Sequence, residues 1–190
     1  MNILAINDIH LGSPIALCSY DELLIEITKS KLKPFLLGDI IDMRNCKKKD
    51  IPMWLNRGRY LQELCNQLGG AYISGNHELN LFNLVNSFSL GNTLLAHGDE
   101  QSWGLVKSHE FRSQQAGAGF LKRHLLTPLL DELRHLNEVR PNDKLIQFMS
   151  NMKEQMLVIG HSHPNDDVKF QILGKKGLIL SRGFHIVDIV

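Results

Sequence analysis

Five short clusters of polar residues could do chemistry together. Asp8 and His10 stand two apart in "NDIH", and Asp39 follows Gly38 in "LLGDIID", with Asp42 three residues on. Asn76, His77 and Glu78 run consecutively in "SGNHE". His97 precedes Gly98 in "LLAHGDE", and His161 and His163 are two apart in "VIGHSHP". Each cluster alone has a plain reading. Aspartates after strands cap helices, an asparagine after a glycine turns the chain, and a histidine in a polar loop is exposed. Asp8, His10, Asp39, Asn76, His97, His161 and His163 taken together offer only oxygen and nitrogen donors. Crowded together, these would repel or stay unpaired without a cation. A mixed Asp/His/Asn set suits Mn²⁺, Fe²⁺ or Zn²⁺, and the clusters contain no thiolate. The donors outnumber one tetrahedral site and fit two metals if a carboxylate bridges.

Such a site forms only if the surrounding elements bring the clusters to one place. Residues 2–7, 34–39, 71–76, 92–99 and 156–163 read as five strands, each a short apolar run ended by one of the clusters. Extended geometry would point Asp8 and His10 to the same side. Helices are expected over 20–30 and about 52–68, with a short one through "LNLFNLVNSF" after the third strand. "DVKFQILGKKGLILSRGFHIVDIV" closes the chain as short strands, the first pair joined by a "GKKG" turn containing Lys175 and Lys176. Helices and strands alternate early and strands dominate late, which suggests a layered α/β or α+β sandwich. In open α/β sheets, ligands bind outside the carboxyl ends of strands, where all five clusters lie.

From about 100 to 155 the pattern turns helical. Leu121, Leu125, Leu129, Leu133 and Leu136 form one stripe, read as core packing. Lys107, His109, Arg112, Lys122 and Arg123 in this insertion are candidate contacts for substrate phosphates, against the plainer reading of a solvated helix face. "AGAG" at 116–119 weakens a helix and suggests a break or hinge. His124, His135 and His185 are assigned to structure.

The bulk numbers set the frame. A chain of 190 residues, 43% hydrophobic and 22% charged, is an ordinary globular domain able to bury a core without disulfides. Residues 1–190 form one domain with the helical insertion inside it. Net charge is +1, and no basic stripe interleaves with aromatics, which disfavours a nucleic-acid-binding module. Cys18, Cys46 and Cys65 match neither a disulfide framework nor a zinc knuckle, so reduced thiols in a cytoplasmic protein are expected. No signal peptide or membrane span is expected.

The motifs "DIH", "GDIID", "GNHE", "AHGD" and "GHSH", in that order over residues 8–163, resemble the calcineurin-like metallophosphoesterase superfamily. The resemblance implies a four-layer αββα sandwich of two mixed sheets flanked by helices. It implies two metals, one on Asp8, His10, Asp39 and His163, the other on Asp39, Asn76, His97 and His161, with Asp39 bridging. A metal-bridging hydroxide would attack phosphorus in line, and His77 would serve as general acid. Asp42 and Glu78 become candidate partners that orient these residues. The implied substrate is a phosphate ester, small or nucleotide-like. "NDIHLG" and the insertion resemble the branch with UDP-diacylglucosamine pyrophosphohydrolases. Phosphoprotein and dinucleoside polyphosphate are alternatives, although "GDIIDMRN" lacks the arginine-glycine those branches carry. A metal-loaded binding scaffold of the same fold is the rival to an enzyme, and the presence of His77 argues against it.

Overall fold

The computed structural model describes residues 1–130 and 141–190. Two sheets face each other. The first is built of β3 (Ala71–Ile73), β2 (Pro34–Leu37), β1 (Asn2–Asn7) and β9 (Gly183–Asp188), in that order. In it β1, β2 and β3 run parallel, and β9 runs antiparallel to β1. The second is ordered β4 (Ser87–Leu90), β5 (Thr93–Ala96), β6 (Met156–Ile159), β8 (Lys175–Ile179) and β7 (Val168–Ile172). There β5, β6 and β8 are parallel, and β4 and β7 are antiparallel edges.

The period of two along each strand makes the layers. In β1, Ile3 and Ala5 turn inward to meet Phe35, Leu95 and Val158 between the sheets. Leu4 and Ile6 turn outward under Leu23 and Ile27 of α1 (Tyr20–Lys29) and Trp54, Leu61 and Cys65 of α2 (Ile51–Gln67). Helix α1 begins at Ser19, whose side chain and backbone form a capping box with Glu22. On the far side of the second sheet, Leu94, Leu157 and Ile179 pack against Leu145 and Met149 of α5 (Asp143–Asn151). The result is a mixed α/β sandwich with helices on both outer faces. No helix among the described residues is long and apolar enough to cross a membrane.

Three expectations need correction. Residues 79–88 are not helical. Leu79, Asn80 and Asn83 take positive φ, Val85 pairs with Ile73, the last residue of β3, and 87–90 form β4. Lys175 and Lys176 lie in β8, with the turn at 173–174, and the Lys175 ammonium caps carbonyls at the end of α5. The leucine stripe is not core: Leu121, Leu125 and Leu129 are all more than half exposed. Leu133, Leu136 and His135 lie outside the described residues.

The insertion continues from α3 (Asp99–Trp103) and α4 (Leu105–Arg112) to a π-helical turn, Lys122–Leu126. Between them, the amides of Gly117 and Ala118 donate to the carbonyls of Met43 and Cys46 and hold the segment to the first sheet's loops.

Candidate metal centre

The parallel strands β1, β2, β3, β5 and β6 end at one edge of the sandwich, and their carboxyl ends bring the five clusters together. Asp8, His10, Asp39, Asn76, His97, His161 and His163 are all buried. Asp8, His10, Asp39, His161 and His163 also have φ between +47° and +68°. Left-handed backbone at non-glycine residues costs on the order of 1–3 kcal/mol each and collects at functional sites. Asp8 and His10 therefore converge through a turn rather than through extended spacing.

Two glycines allow the close approach. A Cβ on Gly38 (φ +88°) would lie 2.7 Å from Gly75 Cα and from the His97 ring, and one on Gly75 would lie 2.2 Å from Asp39 Oδ1. Glu78 locks the same loops. Its Oε2 accepts from the amides of Asp39 and Gly75, and its Oε1 accepts from those of Ile40 and Ile41 and from the Tyr72 hydroxyl. Burial and the charge of Asp39 push Glu78 up to about 7.

The ligand-type atoms of Asp8, His10 and His163 lie within 4.8 Å of one another, as do those of Asp39, His97 and His161 and those of His10, Asp39 and His77. Within the second group the hydrogen bonds fix the tautomer. His97 Nδ1 is 2.9 Å from the Leu37 carbonyl oxygen, which can only accept, so Nδ1 carries the proton. In the neutral ring, Nε2 then presents a lone pair to Asn76 Oδ1 at 3.3 Å, Asp39 Oδ2 at 3.4 Å and His161 Nδ1 at 3.0 Å. Lone pairs packed this way need a shared positive charge. The donor set fits a divalent cation on that ground.

The electrostatics agree. Burial alone would raise Asp8, Asp39 and Asp42, but the neighbouring imidazoles outweigh it and hold all three well below the ordinary carboxylate range. Burial alone would lower His97, yet Asp39 beside it lifts it to about 10. The pocket is rich in electrons and stabilises whatever cation or proton enters. His10 is lowered, mainly by burial, and its Nε2 has no hydrogen-bond partner among the described residues.

His77 stands at the border of the cluster. Its Nδ1 is 2.8 Å from Asp42 Oδ1 and its Nε2 is 3.9 Å from Asp39 Oδ2. Asp42 is steadied in turn by Asn45, whose backbone N–H and side-chain amide both donate to it.

The basic residues of the insertion divide. Arg112 is buried and turned inward, paired with Asp99 at 2.7 Å and bonded to Asn86 and the Ser74 carbonyl. Arg123 donates to the carbonyls of Gly12 and Asn45 and so ties the insertion to the site loops. Lys107 is exposed, its ammonium 5.3 Å above the Trp103 ring, and His109 is exposed on α4. Lys122 lines a cavity with His10 and His77.

Other residues in the site escaped the sequence reading. Arg44 lines that same cavity. Trp103 packs edge-on to His161 at 4.2 Å between centroids. Arg182 donates to the carbonyls of Asp8 and Ile15, and Asn7 bonds Asp8 Oδ2 at 2.6 Å. The signal for Asn45 was its place three residues after Asp42. Arg44, Trp103 and Arg182 carried no local signal, because tertiary packing brings them in.

A two-sheet sandwich with buried acidic and imidazole donors at one strand edge defines a metal-binding α/β protein. Residues 1–165 match the family model for calcineurin-like phosphoesterases, and the chain belongs to that family. Among solved structures it is similar to a dimetal phosphatase from Danio rerio, at 13% identity and TM-score 0.51, covering 98% of this chain and 91% of that one. It is also similar to a cold-active protein tyrosine phosphatase, at 15% identity and TM-score 0.51, covering 98% of this chain and 73% of that one. These two likenesses concern the fold. No curated protein matches the chain in sequence.

Proposed function

We propose that the chain hydrolyses phosphate mono- or diesters, or a pyrophosphate bond, using two divalent cations held by the strand-end donors. The observation that carries this reading is Asp39, which belongs to two of the donor groups at once. The division it favours sets Asp8, His10, Asp39 and His163 around one cation and Asp39, Asn76, His97 and His161 around the other. Mn²⁺ is the first choice, and Fe²⁺ or Zn²⁺ suit the same donors. Bound there, the cations would supply an activated water near neutral pH and offset charge on the phosphoryl oxygens. The description of the Danio rerio protein as a dimetal phosphatase is in keeping with this.

The chain's own part in the reaction centres on His77. Its Nδ1 donates to Asp42, which holds the ring and balances an imidazolium. Its Nε2 faces the cluster and is placed to give a proton to the leaving oxygen. Asn45 keeps Asp42 oriented, and Glu78 keeps the two ligand loops together. The free thiols Cys18, Cys46 and Cys65 are in keeping with a cytoplasmic setting.

The test is hydrolysis of p-nitrophenyl phosphate and bis(p-nitrophenyl) phosphate by metal-stripped protein with and without Mn²⁺. Turnover that vanishes on stripping and returns with Mn²⁺ is expected, and the ratio of the two rates separates mono- from diesterase. Mn²⁺ bound without turnover of either ester, or of a pyrophosphate such as adenosine 5′-diphosphate, contradicts the proposal.

A further inference from the structure

The short helices α3 and α4 bracket one half of the donor set. Arg112, the last residue of α4, is 3% exposed. Its guanidinium donates to both carboxylate oxygens of Asp99, from Nε at 3.1 Å and from one terminal nitrogen at 2.7 Å. It also donates to Asn86 Oδ1 at 2.7 Å and to the Ser74 carbonyl at 3.3 Å. Glu100 lies 3.8 Å away, and the charge of Glu78 acts on it as well. Ser74 and Glu78 belong to the loop after β3, which carries Asn76. Asp99 follows β5, two residues beyond His97, and Asn86 leads into β4. A third donor is reached through Trp103. Its ring packs edge-on to His161 at 4.2 Å and against Phe111, the neighbour of Arg112, at 5.0 Å.

Among the described residues, no hydrogen bond or ion pair of Arg112 reaches the loops after β1 and β2. Those loops have their own ties to the insertion. Arg123 donates to the carbonyls of Gly12 and Asn45, and the amides of Gly117 and Ala118 donate to those of Met43 and Cys46. The two arginines therefore divide the strand ends between them.

A buried ion pair adds little net stability over apolar packing of the same volume. What apolar side chains cannot supply is direction. A planar guanidinium holds several acceptors at fixed angles and distances. Here two of those acceptors, Ser74 and Asp99, stand two residues from Asn76 and from His97. Groups at that remove orient metal ligands. Under the proposed division of donors, on which this inference rests, Asn76, His97 and His161 serve one cation together with the shared Asp39. We infer that Arg112 is a positioning residue for that cation alone, and that the Asp8 and His10 side is set without it.

Calorimetric Mn²⁺ titrations of metal-stripped protein test this in two single-site backgrounds. His10→Ala should keep only the cation on the Asn76 side, and His97→Ala only the one on the Asp8 side. Arg112→Lys keeps the charge and loses the fork. Added to His10→Ala, it should weaken the remaining Mn²⁺ by about ten- to a hundredfold, the scale on which partners that orient metal ligands act. Added to His97→Ala, it should change nothing. Weakening in both backgrounds alike, in neither, or only beside His97→Ala would overturn the inference and leave the phosphoesterase reading intact. Should Arg112→Lys fail to fold, Asn86→Ala carries the same comparison, because it removes one acceptor of Arg112 from an exposed residue. A smaller weakening confined to the His10→Ala background is then expected, and any other pattern overturns the inference. A wild-type chain that binds a single Mn²⁺ fails the two-cation function instead. The inference then stands if Arg112→Lys and His97→Ala both weaken that ion, and falls otherwise. A wild type that binds none overturns both.

Discussion

The strand-end cluster and the segment from 105 to 130 are built by opposite means. In the cluster every donor is buried, each follows a strand by one to four residues, and the backbone is held in left-handed turns by Glu78 and by glycine contacts. In the segment, Leu105, Phe120, Leu121, Leu125 and Leu129 are exposed, and a handful of polar anchors fix its place. The cluster is positioned by the strand ends and by the Glu78 hydrogen bonds to Asp39, Ile40, Ile41 and Gly75. The segment is positioned through Arg123, Thr127 and Asn45. Under the proposed function the chemistry belongs to the strand ends of the two sheets.

Breaking the cluster at His77, its proposed proton donor, should have the largest effect. His77→Ala is expected to keep its metal content and lose about a hundred- to a ten-thousandfold in kcat on esters with poor leaving groups. The loss should be smaller for p-nitrophenyl esters, which need little protonation. Single-turnover rates across a series of aryl phosphates would check this, and equal losses throughout would argue for a different role.

The link between the regions comes next. Asn45→Ala removes the side-chain donor to Asp42 and the acceptor for Thr127. Activity should fall by about tenfold, the scale on which such supporting partners act, with metal stoichiometry unchanged. Thr127→Val cuts only the insertion's side of the link and should cost less. An Asn45 variant with wild-type kcat would show that the regions are not coupled.

The smallest effects distinguish core from exposed leucines. Leu145 is 2% exposed under the second sheet and Leu125 is 61% exposed. Leu145→Ala should cost about 3 kcal/mol of unfolding free energy, and Leu125→Ala less than about 0.5 kcal/mol. Denaturant titration of the two variants checks both, and similar losses would mean that the leucine stripe is packed after all.

The same contrast explains how much could be read from the sequence. The parallel strands and their polar ends were legible because apolar runs and donor residues are neighbours in the chain. Asp8, His10, Asp39, Asn76, His97, His161 and His163 were all named from spacing, and the structure gathers them. The leucine stripe misled because helical periodicity reports amphipathicity and does not say what lies opposite. Residues 79–88 misled because leucines alternating with asparagines mimic a helix, whereas pairing with β3 and β5 decides the backbone. Arg112 looked like a substrate contact because its buried partner Asp99, thirteen residues away, faces it only after folding.

The account rests above all on Asp39 serving two cations. The direct measurement is metal content by plasma mass spectrometry after Mn²⁺ loading and desalting, for the wild type and for Asp39→Asn. Two ions per wild-type chain, with most of both lost in Asp39→Asn, is the predicted result. An Asp39→Asn protein that holds as much Mn²⁺ as the wild type would contradict the shared carboxylate.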